Sequence, residues 1–444
     1  MTPSSERIAA VPTGRASRLM HMGGLALGVA GNMLAAGARQ VAAGQRPEWR
    51  DLLLTPENAA RLADKLSRLR GAAMKVGQLL SMEAGELLPP EFTEVLARLR
   101  QDAHFMPLGQ LAELLESQWG EGWEQRFSRF NFTPLAAASI GQVHEAVLKT
   151  GERLAIKVQY PGVARSIDSD VDNVAALFRA LPLLPQGAIL DALLDEAKRQ
   201  LHEEADYRRE AGHIRQFARL LGDRPDLRLP AVIDSLSTDV VLTMTYVPGA
   251  PIESLSDAGQ DLRDRLATRL VELMLREFLE FGVVQTDPNF ANYRYDPDSD
   301  TLGLLDFGAT RVYGDDRRAQ VRDLIAAASA GEPAGVAAAA ETAGYLLATD
   351  TPARRQAVTD LFMLVGEPAR HPGAYDFGRS DLTARLRESS YALGFSEGHW
   401  RVPPADLIFL HRKLAGLFLL CARLGARVDV GRLMTPLLAD ERPA

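Results

Sequence analysis

The feature that most constrains this chain is the stretch QTDPNFANYRYDPDSDTLGLLDFG, residues 285–308. Asp287 is followed five residues later by Asn292, and Asp306 comes fourteen residues after Asn292. Pro297-Asp298 predicts a hairpin turn in the intervening segment, so the chain would return and bring Asp306 beside Asn292. A carboxylate and an amide oxygen are hard ligands that suit Mg²⁺. The fold must therefore bring two acids and an amide together.

This spacing is typical of protein kinases, in which one Asp orients the accepting hydroxyl while an Asn and a second Asp hold Mg²⁺. We therefore assign Asp287 as catalytic and Asn292 and Asp306 as metal ligands. The alternative is that these residues only cap the turns around a hairpin. Asp306-Phe307-Gly308 alone arises often by chance, but the combined spacing is much more specific.

A second candidate catalytic residue is Lys157, which stands between apolar neighbours in LAIKVQ. VHEAVL and LAIKVQY predict two strands joined by a turn at Thr150-Gly151. A kinase lysine on such a strand pairs with nucleotide phosphates and with a helical Glu. The alternative is an edge-strand lysine that faces water.

The partner of Lys157 is expected on a long charged helix predicted over 191–221. A buried lysine needs an opposite charge, although most acids of a charged helix lie on a solvated face. Glu204 and Glu210 are six residues apart and point in different directions, so the residues alone do not choose between them. The acids that this helix offers are Glu203, Glu204, Asp206 and Glu210.

The phosphate-binding loop departs from an ordinary protein kinase. The position of the Gly-rich loop is occupied by Ala136, Ala137, Ala138 and Ser139. Alanine does not readily adopt a positive φ, so this loop should not approach phosphates in the usual way. Gln285-Thr286-Asp287 replaces His-Arg-Asp, and no Ala-Pro-Glu segment follows Asp306. A platform for peptide substrates is therefore expected to be missing.

Residues 19–38 carry no full charge and have about the length of a membrane-spanning helix. They are rich in Gly and Ala and include His21 and Asn32, so their hydrophobicity is weak. We favour a helix that packs on the protein or lies at a membrane surface over a helix that spans the bilayer.

The bulk composition agrees with a two-lobed soluble enzyme. A chain of 444 residues exceeds one ordinary core, and a net charge of −8 argues against nucleic acid as a partner. Cys421 is the single cysteine, which excludes a disulfide framework. We expect an α+β, bilobal, protein-kinase-like fold with an N-terminal helical extension. Its predicted parts are 1–50 (N-terminal segment), 51–125 (extension), 126–248 (N-lobe) and 249–444 (helical C-lobe). The sequence pattern also predicts an amphipathic helix over 108–118, strands in LPAVID and VVLTMTYV (229–247), a helix over 261–281 and a mainly helical chain from residue 316 onward.

Six motifs together resemble one family. They are MKVGQ (74–78), AAAS (136–139), LAIKVQYPGV (154–163), EADYRREA (204–211), QTDPNFAN (285–292) and LLDFGATR (304–311). In this order they are similar to the UbiB-like (AarF) atypical kinases, and most similar to the branch tied to coenzyme Q biosynthesis. The resemblance runs from about residue 11 to about residue 435.

The resemblance implies a regulatory lid. The family's Lys-x-Gly-Gln motif falls on Lys75, Gly77 and Gln78, and its ExD motif falls on Glu204 and Asp206. In such proteins the extension lies where a peptide would bind, and its lysine faces these acids. Lys75 is accordingly assigned to the catalytic set as well as to the lid.

The resemblance also implies the remaining nucleotide contacts. With Glu204 and Asp206 assigned to the ExD motif, Glu210 is left as the partner of Lys157. The adenine-binding hinge falls on Met244, Thr245, Tyr246 and Val247. The implied cofactors are ATP or ADP and Mg²⁺.

The implied activity is ATP hydrolysis or small-molecule or lipid-linked phosphotransfer that supports ubiquinone biosynthesis. Partners would be a membrane lipid or quinone precursor, quinone-biosynthesis enzymes and a second copy of the chain. The expected location is cytoplasmic, peripheral on a bacterial inner membrane. Two alternatives are a non-catalytic, nucleotide-switched module that holds lipid or partners, and a small-molecule kinase of the aminoglycoside or choline type.

Overall fold

The computed structural model describes residues 105–180, 188–395, 403–404 and 406–439. The chain divides into two compact units. Of the described residues, the first unit contains those up to Arg215 together with Pro230–Tyr246, and the second contains Gln216–Leu229 and those from Val247 onward. Residues 216–229 were predicted in the N-lobe, but their short strand Leu227–Arg228 (β5) pairs in parallel with residues 302–303 of the second unit.

An antiparallel sheet forms the centre of the first unit. Its spatial order is β1-β3-β4-β6, and β2 pairs with β3. The predicted turn at Thr150-Gly151 is confirmed, with Gly151 at φ +90° and its N–H bonded to the Leu148 carbonyl. The strands are β1 (Phe127–Phe130), β2 (Ala136–Ala137), β3 (Gly141–Leu148), β4 (Arg153–Gln159) and β6 (Val241–Thr245).

The helix α1 (Leu108–Trp119) is amphipathic, as predicted, and buries Leu111, Leu115 and Trp119. These side chains share one core with Ile156 of the sheet. The predicted boundary at residue 125 is therefore not a break in packing, because apolar residues on both sides of it belong to one core.

The expectation of one long helix over 191–221 is wrong. The chain forms α3 (Ala188–Glu204) and α4 (Tyr207–Leu221), separated at Ala205-Asp206. The Asp206 carboxylate accepts the Arg209 N–H at 2.9 Å, which satisfies a free donor at the start of α4. A preceding helix is α2 (Val163–Ala180).

A strand was also predicted over LPAVID, residues 229–234. Only one isolated bridge forms there, between Val232 and Met244. Pro230 lacks an N–H, and a 3₁₀ turn begins at Asp234, so a regular strand does not extend in either direction.

The second unit is mainly helical and holds a small sheet of order β5-β10-β9-β7. The predicted hairpin is confirmed, since β9 and β10 pair antiparallel around a turn at 297–300. The remaining strands are β7 (Ala250–Pro251), β8 (Val283–Gln285), β9 (Tyr293–Asp296), β10 (Thr301–Leu304), β11 (Thr310–Val312), β12 (Tyr375–Asp376) and β13 (Arg427–Val428).

The helices of the second unit follow the predicted order. The predicted helix at 261–281 is α5 with a π-helical turn, Glu277–Phe281, at its end. The helices are α5 (Gln260–Arg276), α6 (Asp315–Ala330), α7 (Pro333–Thr342), α8 (Pro352–Val365), α9 (Glu367–Arg370), α10 (Leu382–Phe395), α11 (Ile408–Arg423) and α12 (Val430–Ala439).

Within the described ranges, no helix is both long and apolar enough to cross a bilayer. Residues 19–38 lie outside the described residues, as do Lys75, Gly77 and Gln78. The predicted membrane contact and the lid therefore stay predictions.

Candidate active site

Lys157 is buried on β4 and paired with Glu210. Its Nζ lies 2.9 and 2.8 Å from the two carboxylate oxygens of Glu210, whose residue is 1% exposed. The predicted choice of Glu210 over Glu204 is confirmed, and the alternative of a solvent-facing lysine is wrong. A charge-assisted pair with two contacts fixes the lysine head group in a low-dielectric site.

Glu210 reaches Lys157 because of how α4 begins. Asp206 caps the helix, and Glu210 follows in its first turn. The Tyr207 ring, at the first helical position, lies 5.3 Å from the Lys157 ammonium. The break between α3 and α4 therefore aims Glu210 at the sheet.

The alanine loop forms the tight β2–β3 hairpin. Ala136 and Ala137 pair with β3, and the Ala138 N–H donates to the Gly141 carbonyl at 2.8 Å. Within the described ranges Asp300 is the only non-glycine residue at positive φ, so the loop has the ordinary backbone expected for alanine. The Ser139 hydroxyl donates to the Glu204 carboxylate.

The two ExD acids therefore have different local roles. Glu204 bonds the alanine loop, whereas Asp206 caps α4. Their predicted contact with Lys75 involves a residue outside the described part of the chain and stays a prediction.

The predicted hinge coincides with the passage from the first unit to the second, between Tyr246 and Val247. Met244 is buried on β6. The Arg153 guanidinium stacks 4.0 Å from the centre of the Tyr246 ring. Val247 is buried in the second unit beside Gly303, where an added Cβ would lie 2.4 Å from the Val247 side chain.

The second unit brings Asp287 and Asn292 together. The Asn292 amide nitrogen donates to one Asp287 oxygen at 2.8 Å, and Arg412 lies 3.4 Å from the other. A 3₁₀ turn, Phe290–Asn292, closes the intervening loop and is capped by the Asn289 side chain. Because Asp287 takes the amide nitrogen, the amide oxygen of Asn292 is the atom suited to a metal.

Asp306 follows β10 and is brought beside this loop. The N–H of Leu305 donates to the Asn292 carbonyl at 3.0 Å, so the hairpin returns the chain as predicted. One oxygen of Asp306 accepts the Gly308 N–H at 2.9 Å. Phe307 is buried and packs on Phe217 with ring centres 4.9 Å apart, which anchors the motif.

A buried polar cluster, which the sequence patterns did not predict, contacts the residues that flank the Asp287 loop. Lys413 donates to the Gln285 side-chain oxygen at 2.8 Å and to the Tyr293 hydroxyl at 2.7 Å. Glu277, in the π-helical turn, lies 3.9 Å from the Lys413 Nζ. The available signal was Arg412-Lys413 within the apolar run of 407–421, where two adjacent charges need buried partners.

Burial raises the pKa of Glu277 to about 7, and the nearby Lys413 ammonium offsets this only in part. The partners of Lys413 raise its pKa despite its burial. The lysine is therefore charged at neutral pH, whereas Glu277 is only partly ionised there.

The helix α11 carries both Arg412 and Lys413, and it lies unusually close to the loop. A Cβ at Gly416 would be 2.2 Å from the Pro288 Cβ, so only glycine permits this approach. The loop with Asp287 is thus supported by α11 through two cations and one close contact.

The chain is similar to known atypical kinases. The model of the ABC1 atypical kinase-like domain matches residues 98–340. The mitochondrial atypical kinase COQ8 of Saccharomyces cerevisiae is 39% identical over 431 residues, covering 97% of this chain and 86% of that protein. The mitochondrial atypical kinase COQ8B of Rattus norvegicus is 40% identical over 420 residues, covering 94% and 79% respectively.

A solved structure also matches. The complex of Rv3197 with erythromycin from Mycobacterium tuberculosis aligns with a TM-score of 0.59 and 27% identity, covering 86% of this chain and 95% of that one. Together with the match to the ABC1 atypical kinase-like domain, this structural match confirms the predicted kinase-like fold.

Proposed function

The chain belongs to the ABC1 atypical kinase-like family, and we propose that it binds Mg²⁺–nucleotide and acts at a membrane surface. It is a COQ8-like atypical kinase of coenzyme Q biosynthesis, and its fold implies nucleotide binding. The reaction we infer is ATP hydrolysis or phosphoryl transfer to a small or lipid-linked acceptor.

The proposal rests on one observation. Asp287 and Asn292 are hydrogen-bonded at 2.8 Å, and the N–H of Leu305, the residue directly before Asp306, donates to the Asn292 carbonyl. This arrangement places an acid and an amide beside the residue that precedes a second acid, and these are the groups that Mg²⁺-dependent phosphoryl transfer uses. The donor set of one amide oxygen and one carboxylate fits Mg²⁺.

Each residue would have a defined role. Asn292 and Asp306 would hold the metal, and Lys157, oriented by Glu210, would donate to phosphate oxygens. Asp287 would accept a hydrogen bond from the attacking hydroxyl or water, while Asn292 and Arg412 hold its carboxylate in place. Bound Mg²⁺–ATP would supply the phosphoryl group and the divalent charge that offsets it.

The structure of the alanine loop favours water or a small molecule, rather than a peptide, as the phosphoryl acceptor. Its hairpin is closed by its own backbone bond and by Ser139 to Glu204, so it lacks the freedom of a Gly-rich loop. Lys75 of the predicted lid would contact Glu204 or Asp206 and restrict access. Membrane lipid, a quinone precursor, quinone-biosynthesis enzymes and a second copy of the chain are the partners we propose.

The test is phosphate release by the full chain with and without anionic liposomes, for wild type and Asp306→Asn. We expect the variant to lose Mg²⁺-dependent turnover by roughly 10²–10³-fold, because it loses a carboxylate that neutralises developing charge. Asp298→Asn is the matched control, since Asp298 is an exposed residue of the hairpin turn in the same segment. Full turnover by Asp306→Asn would contradict the proposal.

A second candidate function is a non-catalytic module in which nucleotide switches lipid or partner binding. The Ser139–Glu204 bond favours it, because it connects the alanine loop to an ExD acid. Nucleotide binding by thermal shift, with no phosphate release under any membrane condition, would favour this candidate over the enzyme.

A further inference from the structure

A largely apolar cavity of about 310 Å³ lies among α8, α10 and α11 of the second unit. A smaller cavity of about 120 Å³ adjoins it, and Tyr345, Phe362 and Phe418 belong to both walls. Protein interiors are close-packed, with few voids larger than a water molecule. Two adjoining cavities of this size exceed ordinary packing defects and reach the range of small-molecule sites.

The wall holds one neutral polar pair. The Tyr345 hydroxyl and the His411 Nε2 are 2.6 Å apart, and the Tyr345 ring packs edge-on against Phe362 at 4.7 Å. Burial lowers the pKa of His411 to about 4, so the imidazole is uncharged at neutral pH. Whichever atom donates within the pair, the Tyr345 oxygen keeps capacity for a further hydrogen bond.

The charge on the wall is balanced. Arg354 lines the cavity, and its Nε lies 3.7 Å from a carboxylate oxygen of Asp350, with both side chains less than 10% exposed. A charged ligand would lose its hydration here without meeting an uncompensated opposite charge. Bulk water is also a poor occupant, because apolar cavities stay dry.

The cavity has an opening to solvent. Ser390 of α10 and Ala415 of α11 line it and are both exposed. Leu419 of α11, which is 53% exposed although apolar, is not among the residues that line the cavity.

From these features we infer that the cavity binds an uncharged, mainly apolar ring compound that carries one hydroxyl group. The apolar walls take the ring, and the Tyr345–His411 pair takes the hydroxyl. The lining residues include none of those proposed for nucleotide or metal, so the inference does not depend on the proposed reaction.

The probes are 2-naphthalenemethanol, the nearly isosteric 2-ethylnaphthalene and the charged 2-naphthoate, titrated by calorimetry into the full chain without nucleotide. We expect the alcohol to bind at least tenfold more tightly than the hydrocarbon, and the carboxylate to bind most weakly. Absence of alcohol binding up to its solubility limit, or tightest binding of the carboxylate, would overturn the inference.

Two tryptophan variants locate the binding. Ala415→Trp should fill the mouth and weaken binding of the alcohol at least tenfold, whereas Leu419→Trp, one turn further along α11, should bind as wild type does. Tyr345→Phe should reduce the affinity for the alcohol to that for the hydrocarbon. Thermal unfolding of each variant checks that it is folded, and undiminished binding by folded Ala415→Trp would place the ligand elsewhere and overturn the assignment.

Discussion

Among the residues that the structure describes, two lysines are buried, one in each unit, and their surroundings differ. Lys157 of the first unit touches both oxygens of the Glu210 carboxylate at 2.8 and 2.9 Å. Lys413 of the second unit touches two neutral oxygens, from Gln285 and Tyr293, while the acid Glu277 stays 3.9 Å away. The first is a close ion pair, whereas the second is a cation bonded to neutral groups, with a partly ionised acid further away.

Because their surroundings differ, the two lysines are suited to different roles. An ion pair presents an oriented ammonium that phosphate oxygens can share, which suits a residue that acts on a ligand. A cation bonded to Gln285 and Tyr293, which flank the loop with Asp287 and Asn292, instead supports the geometry of that loop. We therefore regard Lys157 as a direct contact of nucleotide and Lys413 as a positioning residue.

The largest effect should come from Lys157→Met. This change removes the cation that touches both oxygens of the buried Glu210 carboxylate, which costs about 3–5 kcal/mol in the free energy of unfolding. Turnover of Mg²⁺–ATP should also be lost. Urea unfolding and phosphate release measure the two effects.

The double variant Lys157→Met/Glu210→Met separates these two effects. Replacing both charges by apolar groups should restore the unfolding free energy to within about 1 kcal/mol of wild type, without restoring turnover. If turnover returned with stability, Lys157 would have only a structural role.

The next largest effect concerns Glu277 and pH. Its pKa is about 7 in the folded protein against 4.5 when exposed, so between these values the unfolded chain releases a proton that the folded chain keeps. Wild type therefore loses stability as pH rises through this window and no further above it. The unfolding free energy of Glu277→Gln, relative to wild type, should rise by about 3 kcal/mol from pH 4.5 to 7.

A pH-independent difference between Glu277→Gln and wild type would show that the carboxyl is already ionised below this window. Glu272→Gln is a suitable control, because Glu272 is a partly exposed acid one turn earlier in α5 that pairs with Arg224.

A smaller effect is expected for Lys413→Met. Gln285 and Tyr293 lose a donor rather than an ionic partner, which costs about 1–3 kcal/mol in the free energy of unfolding. If Lys413 positions the loop, kcat should fall with little change in KM for ATP. A rise in KM alone would indicate that Lys413 acts on nucleotide binding instead.

The smallest effect is expected at the alanine loop. Ala137→Gly gives the hairpin access to positive φ and should raise ATP affinity or autophosphorylation by a few-fold. Ala137→Ser keeps the Cβ and should leave the nucleotide profile unchanged. An unchanged profile in both variants would show that this loop is not the selectivity element.

Local patterns predicted the parts of the site that depend on neighbouring residues. The Asp287–Asn292 spacing, the hairpin and the strand around Lys157 are read within about 25 residues of chain. The choice of Glu210 required more, because periodicity alone did not reveal that Asp206 ends one helix and caps the next.

The cluster around Lys413 could not be predicted from local sequence patterns. Its members are separated by up to 136 residues, from Glu277 to Lys413, and the sequence shows only that two adjacent charges interrupt an apolar helix. Which groups meet them depends on how α11 packs on the Asp287 loop at Gly416. The misplaced strand at 229–234 has a different origin, since Pro230 and the 3₁₀ turn that begins at Asp234 are local features that limit the pairing.

Whether Asn292 and Asp306 hold the metal is tested most directly by the Mg²⁺ dependence of nucleotide binding, measured by calorimetry with ATP for wild type and Asp306→Asn. If Asn292 and Asp306 hold the metal, wild type should bind ATP at least about tenfold more tightly with Mg²⁺ than without it, a difference of about 1.4 kcal/mol. Asp306→Asn should bind ATP equally in both conditions. If Asp306→Asn kept the full Mg²⁺ dependence, Asp306 would not be a ligand of the metal.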